Sequence, residues 1–347
     1  MRRFMLAALL TAFAISSNSF GFGARGHALV GAIADRVLDD DTKKEIDQLL
    51  GGLSLETVAV YPDSIIKELD KEPPATVFAK HPELNDKSQI RKELLAYWQA
   101  NHDNPLPKPA ENRHRLAHYT DVPVEGDLKY HENGPGQTEF DLVHAIPRCV
   151  RVLNGKATPE DAKRAITPTV AVILLAHFIG DMHQPLHVGA EYFDKHGKPV
   201  DPSKSPSSSG DIGGNEIHFE FQPSFSPPAK SLHSFWDENA VELAFPDHDD
   251  AKNADDLAAK TNEPMNWKPS SKIDQWAEIW ANEILPVAKK AHEIKFTNVT
   301  TASNGSLTFN AIIDGNEYPK FASSVVQNQI HLGGWRLAGI LTESVGN

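Results

Sequence analysis

The sequence of 347 residues contains a single cysteine, Cys149, so a disulfide within one chain is excluded. It also lacks a long hydrophobic run, since the apolar stretch over residues 4–15 is too short to anchor the chain in a bilayer. Basic residues are in the minority, with 34 Lys and Arg against 47 Asp and Glu. This excess of acid argues against nucleic-acid binding through a broad basic surface, but not against an enzyme that meets phosphate through metals.

Residues 1–21 have the order of a secretory signal peptide. Two arginines precede the apolar run, and the small residues Ser19 and Gly21 follow it. This order predicts cleavage after Gly21, a mature chain that begins at Phe22, and a secreted or periplasmic location without stable membrane association. An exported chain without disulfides needs another source of stability, and zinc binding supplies one.

Helix-period apolar spacing dominates the rest of the chain. It predicts a mainly α-helical single domain over residues 22–347, with helices at Leu29–Leu38, Lys43–Leu50, Ile90–Gln99, Phe140–Leu153, Pro159–Met182 and Ile273–Ile294. Thr158 is a plausible N-cap before Pro159. Residues 295–318 alternate around Asn304-Gly305, which predicts a small β-hairpin. Residues 71–86 and 195–210 are predicted loops.

The run from His177 to His187 carries the strongest chemical signal. His177 and Asp181 are four residues apart, so on a helix they share one face, and Pro185 ends that helix before His187. Burying imidazoles and a carboxylate among apolar residues is costly without a cation. The pattern therefore predicts a metal site that another segment completes.

Two further segments offer ligands of the same type. His233 and Asp237 repeat the i, i+4 pairing, and His27 follows a glycine-rich start. By helix geometry His183 points away from His177 and Asp181, so it is interpreted as a packing or supporting residue. The same interpretation applies to His114 and His218.

Six motifs occur together in the order found in one known family. They are Phe22-Gly23-Ala24-Arg25-Gly26-His27, Tyr61-Pro62-Asp63, His118-Tyr119-Thr120-Asp121, the His177 to His187 run, Gly210-Asp211-Ile212-Gly213-Gly214-Asn215, and the His233 to Asp237 segment. In these the chain resembles the single-strand-specific zinc nucleases of fungi and plants, the type I nucleases, as a bacterial member. Their superfamily also holds the bacterial zinc phospholipases C, and the resemblance implies that helical fold.

The resemblance implies three zinc ions. It assigns to the first ion Asp63, His118, His177 and Asp181. To the second it assigns His187, His233 and Asp237. To the third it assigns the α-amine and carbonyl of Phe22, together with His27 and a shared Asp181. Asp63 is also expected to orient the attacking water as the catalytic residue.

The resemblance further implies hydrolysis of single-stranded DNA and RNA to 5′-phosphorylated products. It adds 3′-nucleotidase activity on 3′-mononucleotides, and we expect a monomer. Tyr119 and Asp121 follow a ligand directly, where an aromatic face can stack a base and a carboxylate can accept from its amine. Asn215 and Lys67 are the other expected substrate-binding residues.

The chain departs from the family's pattern at several positions. Phe22 stands where the family generally has tryptophan. Tyr61 and Pro62 replace a tryptophan before Asp63, and Ile66, followed by Lys67, replaces a basic residue.

Two alternatives remain open at this point. A zinc phospholipase C would need an exposed apolar rim for membrane contact, whereas the Tyr119 and Asp121 pair favours a nuclease. A non-catalytic zinc-binding protein would need closed sites of four ligands, whereas His187, His233 and Asp237 make only three.

Overall fold

The structure, a computed structural model, describes residues 22–102, 113–219, 229–260, 267–301, 307–313 and 315–345. The predicted signal peptide and the predicted turn at Asn304-Gly305 lie outside the described residues. Within them, the α-helices are α1 Gly23–Val37, α2 Asp40–Leu49, α3 Leu55–Val58, α4 Lys67–Leu69, α5 Pro74–Ala79, α6 Ser88–Asn101, α7 Leu142–Leu153, α8 Pro159–Lys163, α9 Pro168–His183, α10 Leu232–Ser234, α11 Ala240–Ala244, α12 Asp250–Ala258, α13 Trp276–Ala291 and α14 Glu317–Val345.

Shorter elements complete the architecture. Single 3₁₀ turns span Pro82–Leu84, His114–His118, Pro185–His187 and Ile273–Gln275, and π-helical turns span Pro62–Ile66 and Phe235–Asn239. The strands are β1 Val122–Pro123, β2 Gly189–Ala190, β3 Tyr192–Phe193, β4 Ser209–Gly210, β5 Ile217–Phe219, β6 Lys295–Thr301 and β7 Leu307–Ile312. The mainly α-helical class is therefore confirmed.

Helix α9 forms the centre of the hydrophobic core. Every residue from Thr169 to His183 is buried, so this helix is covered on all sides, and α1, α7, α13 and α14 pack around it. Thr167 caps its N-terminus by accepting the Val170 N–H, and Pro168 occupies the first turn. Among the described residues, no helix combines the length and apolar character needed to cross a membrane.

Most of the predicted helices are confirmed to within a few residues. The prediction of one continuous helix over residues 159–182 was wrong. Thr158 does cap a helix before Pro159, and that helix ends at Lys163. Ala165 then adopts a left-handed conformation with φ of 53°. Helix α9 starts again at Pro168, because proline lacks the N–H needed to continue a helix and favours its first turn.

Other helical segments were missed, among them α5 and α14. Residues 71–86, predicted as a loop, contain α5 and the 3₁₀ turn after it. The spacing prediction also omitted α14, which runs for 29 residues. Its buried positions Val326, Ile330, Leu337 and Leu341 are separated by four, seven and four residues, which are one, two and one helical turns, and this period would have predicted the helix.

The predicted hairpin is confirmed and extended. Strands β6 and β7 pair antiparallel, with an irregularity between Phe296 and Asn298, and β5 joins the other edge of β7 in parallel. A second, parallel pairing joins β1 to β2. It ties the segment after His118 to the segment after His187, so it brings two predicted ligand motifs side by side.

Adjacent glycines in α14 differ in the room they leave for a side chain. A Cβ on Gly334 would lie 2.4 Å from Ile33 Cγ2, whereas a Cβ on Gly333 would lie 3.3 Å from Val30 Cγ2. We expect Gly334→Ala to destabilise the protein by about 1–3 kcal/mol, because overpacking outweighs the better helix propensity of alanine. Urea denaturation measures the change, with Gly333→Ala as the matched control. Equal stability of the two variants would contradict this close helix contact.

Candidate metal centre

The first candidate ligands lie near the end of α9. His177 and Asp181 are fully buried one turn apart, and His177 Nε2 lies 3.3 Å from Asp181 Oδ2. His177 Nδ1 donates to the Ala59 carbonyl at 2.7 Å, which leaves its Nε2 lone pair directed toward Asp181. The predicted i, i+4 spacing therefore places an imidazole and a carboxylate in position for one ion.

Two more predicted ligands reach the same place from other segments. His118, on a 3₁₀ turn, has its Nδ1 3.0 Å from both Asp181 Oδ2 and His177 Nε2. Asp63, on a π-helical turn, has its Oδ2 3.7 Å from His177 Nε2. The structure therefore gathers all four side chains that the sequence analysis assigned to the first ion.

A chain of hydrogen bonds supports His118 from behind. His118 Nε2 lies 3.0 Å from His114 Nε2, and His114 Nδ1 lies 3.0 Å from the Tyr97 hydroxyl. With His118 Nε2–H donating to His114 and His114 Nδ1–H donating to Tyr97, the Nδ1 lone pair of His118 faces the other ligands. His114 has the supporting role that we predicted for it. Tyr97 was missed, because its place on α6 is typical of an ordinary core residue.

The second set joins the 3₁₀ turn after α9 to the segment around α10. His187 Nε2 and His233 Nε2 are 3.1 Å apart, and Asp237 Oδ2 lies 3.4 Å from His233 Nε2. The Nδ1 atoms of the two histidines donate to the carbonyls of His118 and Gly213, both at 2.7 Å. Their Nε2 atoms are thereby left as electron-pair donors, which is the usual arrangement of metal-ligating histidine.

Gln184 holds this second set in place and was missed by the sequence analysis. Its side-chain amide donates to Asp237 Oδ1 at 2.7 Å, while its carbonyl accepts the Leu186 N–H. Gln184 is completely buried, so its amide orients the carboxylate without competition from water. Its position inside the strongest motif, three residues before the ligand His187, was the available signal.

His27 approaches Asp181 from α1. Its Nε2 lies 3.4 Å from Asp181 Oδ1, and its ring stacks on His177 with centroids 3.8 Å apart. Gly180 makes this approach possible, because a Cβ there would lie 2.4 Å from His27 Nδ1. The ligand atoms of His27, Asp63 and His177 also lie close enough to share an ion. The predicted third site therefore adjoins the first.

Phe22 immediately precedes α1, the helix that carries His27. Its side chain is fully buried, and its carbonyl accepts the Gly26 N–H at 3.0 Å. Gly23 has φ of 56°, and a Cβ there would lie 2.9 Å from the Asp237 carbonyl oxygen. The predicted mature N-terminus is thus packed against a ligand segment of the second set.

The donor atoms themselves fit a cation. Neither ring nitrogen of His27 makes a hydrogen bond, and the same holds for Asp181 Oδ1, while the Asp63 carboxylate already faces a positive charge, the ammonium of Lys67. Burial raises the pKa of Asp181 to about 6, and the neighbouring Asp63 adds to this. Burial also holds the pKa values of His118 and His177 well below their usual range. Neutral imidazoles facing buried carboxylates are the nitrogen and oxygen donors that zinc prefers.

The predicted substrate-binding residues border the two sets. Lys67 is half-buried and forms an ion pair with Asp63. Tyr119 is half-buried, and the backbone N–H of Thr120 donates to the His187 carbonyl, which places Tyr119 beside the second set. Burial, together with nearby carboxylates, raises the pKa of Asp121 to about 7. The Asn215 amide donates to the Ile212 carbonyl within its own turn.

The turn that carries Asn215 is anchored by a buried ion pair that the sequence did not reveal. His292 Nε2 lies 3.0 Å from Asp211 Oδ2, and the other Asp211 oxygen accepts the Glu191 N–H. Burial alone would lower the pKa of His292, but Asp211 and Glu191 raise it to about 9. Because the same turn supplies the carbonyl that orients His233, the ion pair supports the second set indirectly.

Two histidines lie outside the ligand groups, as predicted. His183 Nδ1 donates to the Ile179 carbonyl, and its Nε2 lies 3.2 Å from Arg336. His218 lies on β5 near the Lys230 carbonyl. Both therefore have local partners of their own.

This arrangement of histidine and aspartate can be set beside known proteins. The family model described as S1/P1 Nuclease matches residues 22–346. The chain belongs to the S1/P1 nuclease family. It is 23% identical to Endonuclease 2 of Arabidopsis thaliana over 335 residues, covering 95% of this chain and 92% of the relative. It is 22% identical to Endonuclease 3 of the same plant, covering 98% and 94%. Family membership makes this chain a nuclease.

Where the chain departs from the S1/P1 nuclease pattern, the structure shows which contacts the replacing residues make. Tyr61 is buried, and its hydroxyl donates to Glu83 at 2.9 Å. Ile66 is 1% exposed and belongs to the core, whereas the adjacent Lys67 reaches Asp63. A positive charge is therefore present beside the metal centre, one residue later than the family pattern places it.

The shared position of Asp181 generates a test of metal content. We expect Asp181→Ala to lose the ions of the first and third sets together, because its two oxygens face both, whereas His233→Ala should lose chiefly one ion. Metal analysis of the purified variants measures the loss. His183→Gln, on the same helix, is the matched control and should retain the wild-type content. Equal losses from the first two variants would contradict the assignment.

The His292 pair generates a second test, on stability against pH. The pKa of His292 is raised from about 6.5 to about 9, so its contribution to stability is present below pH 6.5 and is lost as pH rises through 9. His292→Gln leaves Asp211 without its cation and should cost about 3 kcal/mol near pH 6, with a smaller cost near pH 10. Urea denaturation of both proteins measures the difference, and a cost independent of pH would refute the charged pair.

Proposed function

We propose that this nuclease is an exported zinc-dependent phosphodiesterase that hydrolyses single-stranded DNA and RNA to 5′-phosphorylated products. We further propose 3′-nucleotidase activity on 3′-mononucleotides and a monomeric state. The observation that carries the proposal is Asp181, a buried carboxylate with imidazole nitrogens of His27, His118, His177 and His187 within 3.4 Å. Three groups of His and Asp could each hold a metal ion, and one of them contains Asp181, which supports a centre of three ions.

The donor set supports zinc, since its ligands are imidazole nitrogens and carboxylate oxygens. His187, His233 and Asp237 would supply three protein ligands, so a fourth position would be left for a substrate oxygen. Zinc, when bound, supplies Lewis acidity toward phosphate oxygens and lowers the pKa of a coordinated water. Asp181 would be held ionised by that charge, against the effect of its burial.

Asp63 is the residue that would orient the attacking water. It is 5% exposed, and its position on a π-helical turn places its oxygens at the edge of the first set. An oxygen of Asp63 can accept a hydrogen bond from the water and so fix the direction of attack on phosphorus. Lys67 pairs with the same carboxylate and brings a positive charge to the phosphate.

Preference for single strands would follow from base binding at Tyr119. A base inside a duplex is covered by its neighbours, so only an unpaired base can stack on the tyrosine ring. Asp121 lies two residues further along and would accept from the exocyclic amine when ionised, which its pKa of about 7 allows above neutral pH. Asn215 would contribute from the turn whose Gly213 carbonyl orients His233.

Export would have a direct part in building the site. Cleavage after Gly21 would give Phe22 a free α-amine, and an amine is a far better zinc ligand than an amide. The packing of Phe22 and Gly23 against the Asp237 segment supports this, as does a family match that starts at residue 22. We therefore propose a secreted or periplasmic enzyme whose third ion depends on correct processing.

The surface near the centre favours a nuclease over a phospholipase C. In the described part of the chain, the exposed large hydrophobic side chains are Ile212 and Leu243. Ile212 lies on the glycine-rich turn and Leu243 on α11, so they do not form the continuous apolar rim that membrane contact requires.

The test is product analysis of the exported protein, with Phe22 confirmed as its first residue. We expect cleavage of single-stranded DNA and RNA, release of phosphate from 3′-AMP, slower cleavage of duplex DNA, and no hydrolysis of phosphatidylcholine vesicles. Asp63→Asn should reduce turnover by roughly 100-fold or more if the carboxylate orients the water. His183→Gln should retain turnover. Preferential hydrolysis of phosphatidylcholine, or near wild-type turnover by Asp63→Asn, would overturn the proposal.

A further inference from the structure

A pair of arginines converges on one aromatic ring close to the metal centre. The guanidinium carbons of Arg148, on α7, and Arg164, after α8, lie 5.8 and 5.7 Å from the centroid of Phe140. All three side chains are half-buried, so each has one face in solvent. Arg148 also donates to the Glu139 carbonyl at 2.7 Å, which fixes the direction of its guanidinium.

These two arginines have no carboxylate partner among the described residues. By contrast, Arg25, Arg36, Arg151 and Arg336 each form an ion pair with Asp or Glu. Burial lowers the pKa of Arg148, and the positive charges of Arg164 and Arg151 lower it further. Asp161 and Glu160 offset these positive charges in part, without forming an ion pair with either arginine in the described part of the chain. In a chain with 13 more acidic than basic residues, the convergence of two guanidinium groups on one ring therefore favours a bound anion.

The pair lines the same small cavity as His114, the histidine that supports the candidate ligand His118. Arg148, Arg164 and Phe140 share its wall with His114, and His114 Nε2 lies 3.0 Å from the candidate ligand His118. The cavity has room for about 20 Å³, enough for water but not for a phosphate group. An anion would therefore bind at the rim, on the exposed edges of the guanidiniums.

The chain path places this rim beside the proposed base-binding residue. The Leu142 N–H donates to the Tyr119 carbonyl at 3.1 Å, and Phe140 precedes Leu142 by two residues. A strand with one base at Tyr119 has further phosphodiesters on either side of the cleaved one. Guanidinium groups bind phosphate through paired N–H donors, and such contacts position a strand without reading its sequence.

We propose that Arg148 and Arg164 form a subsite for a phosphodiester that neighbours the cleaved one in a single-stranded substrate. The inference rests on the proposed nuclease function on single strands. It predicts that the enzyme binds an oligonucleotide more tightly than a dinucleotide. It also predicts that part of this binding weakens as salt rises, because the bound phosphate releases counterions.

The experiment compares two substrates of different length, the dinucleotide TpT, which has only the cleaved phosphodiester, and the oligonucleotide dT10. Arg148→Gln with Arg164→Gln should raise KM for dT10 by roughly tenfold and leave kcat within about twofold, since the two arginines act only in binding. The constants for TpT should not change. The dependence of log KM for dT10 on log salt should become shallower by about 0.7 for each phosphate that the variant no longer binds.

Arg36→Gln is the matched control, because it removes one positive charge at the opposite end of α1 from His27. It should leave both substrates unaffected. Unchanged TpT cleavage shows in the same preparation that the double variant is folded. An unchanged KM for dT10, or an equal loss on dT10 and TpT, would overturn the subsite. Failure of the wild-type protein to cleave either substrate would instead overturn the proposed function.

Discussion

The rest of the site depends on one buried carboxylate, Asp181, at the end of the central helix. Imidazole nitrogens of His27, His118, His177 and His187 lie within 3.4 Å of its oxygens, although every one of these side chains is at least 97% buried. Such a group is unfavourable by itself, because burial raises the pKa of the acid and lowers those of most of these bases. Cations at its edges reverse that cost, so metal binding and folding would be linked in a chain without disulfides.

Backbone carbonyls decide which nitrogen each histidine presents. His177, His187 and His233 donate their Nδ1–H groups to Ala59, His118 and Gly213, each at 2.7 Å. The Ala59 carbonyl belongs to a turn before Asp63, the His118 carbonyl to another candidate ligand, and the Gly213 carbonyl to the glycine-rich turn. The ligand geometry is therefore set by how separate segments pack, and the buried pair of Asp211 and His292 keeps the last of them in place.

Positive charge near the candidate site would allow this acidic protein to bind a nucleic acid, which is a polyanion. The chain has a net charge of −13, which by itself repels nucleic acid. Positive charge is local: Lys67 pairs with Asp63, and Arg148 and Arg164 line a cavity that is also lined by His114, the hydrogen-bond partner of His118. Together with cations at the metal centre, these groups would attract phosphate at the site and leave the remaining surface repulsive, which limits unproductive binding.

The helical class and the pairing of candidate ligands could be predicted from local spacing, because an i, i+4 interval places His177 with Asp181 and His233 with Asp237 on any helix. The apolar period of the sequence also predicts α14, which we overlooked. The interruption between α8 and α9, before Pro168, became evident only from the left-handed conformation of Ala165. Packing of the folded chain was needed to show which of the sixteen histidines meet, and that Tyr97, Gln184 and His292 support the candidate ligand sets. Local spacing cannot specify these contacts, since hydrogen-bond partners such as Gln184 and Asp237 are 53 residues apart and meet only when the chain packs.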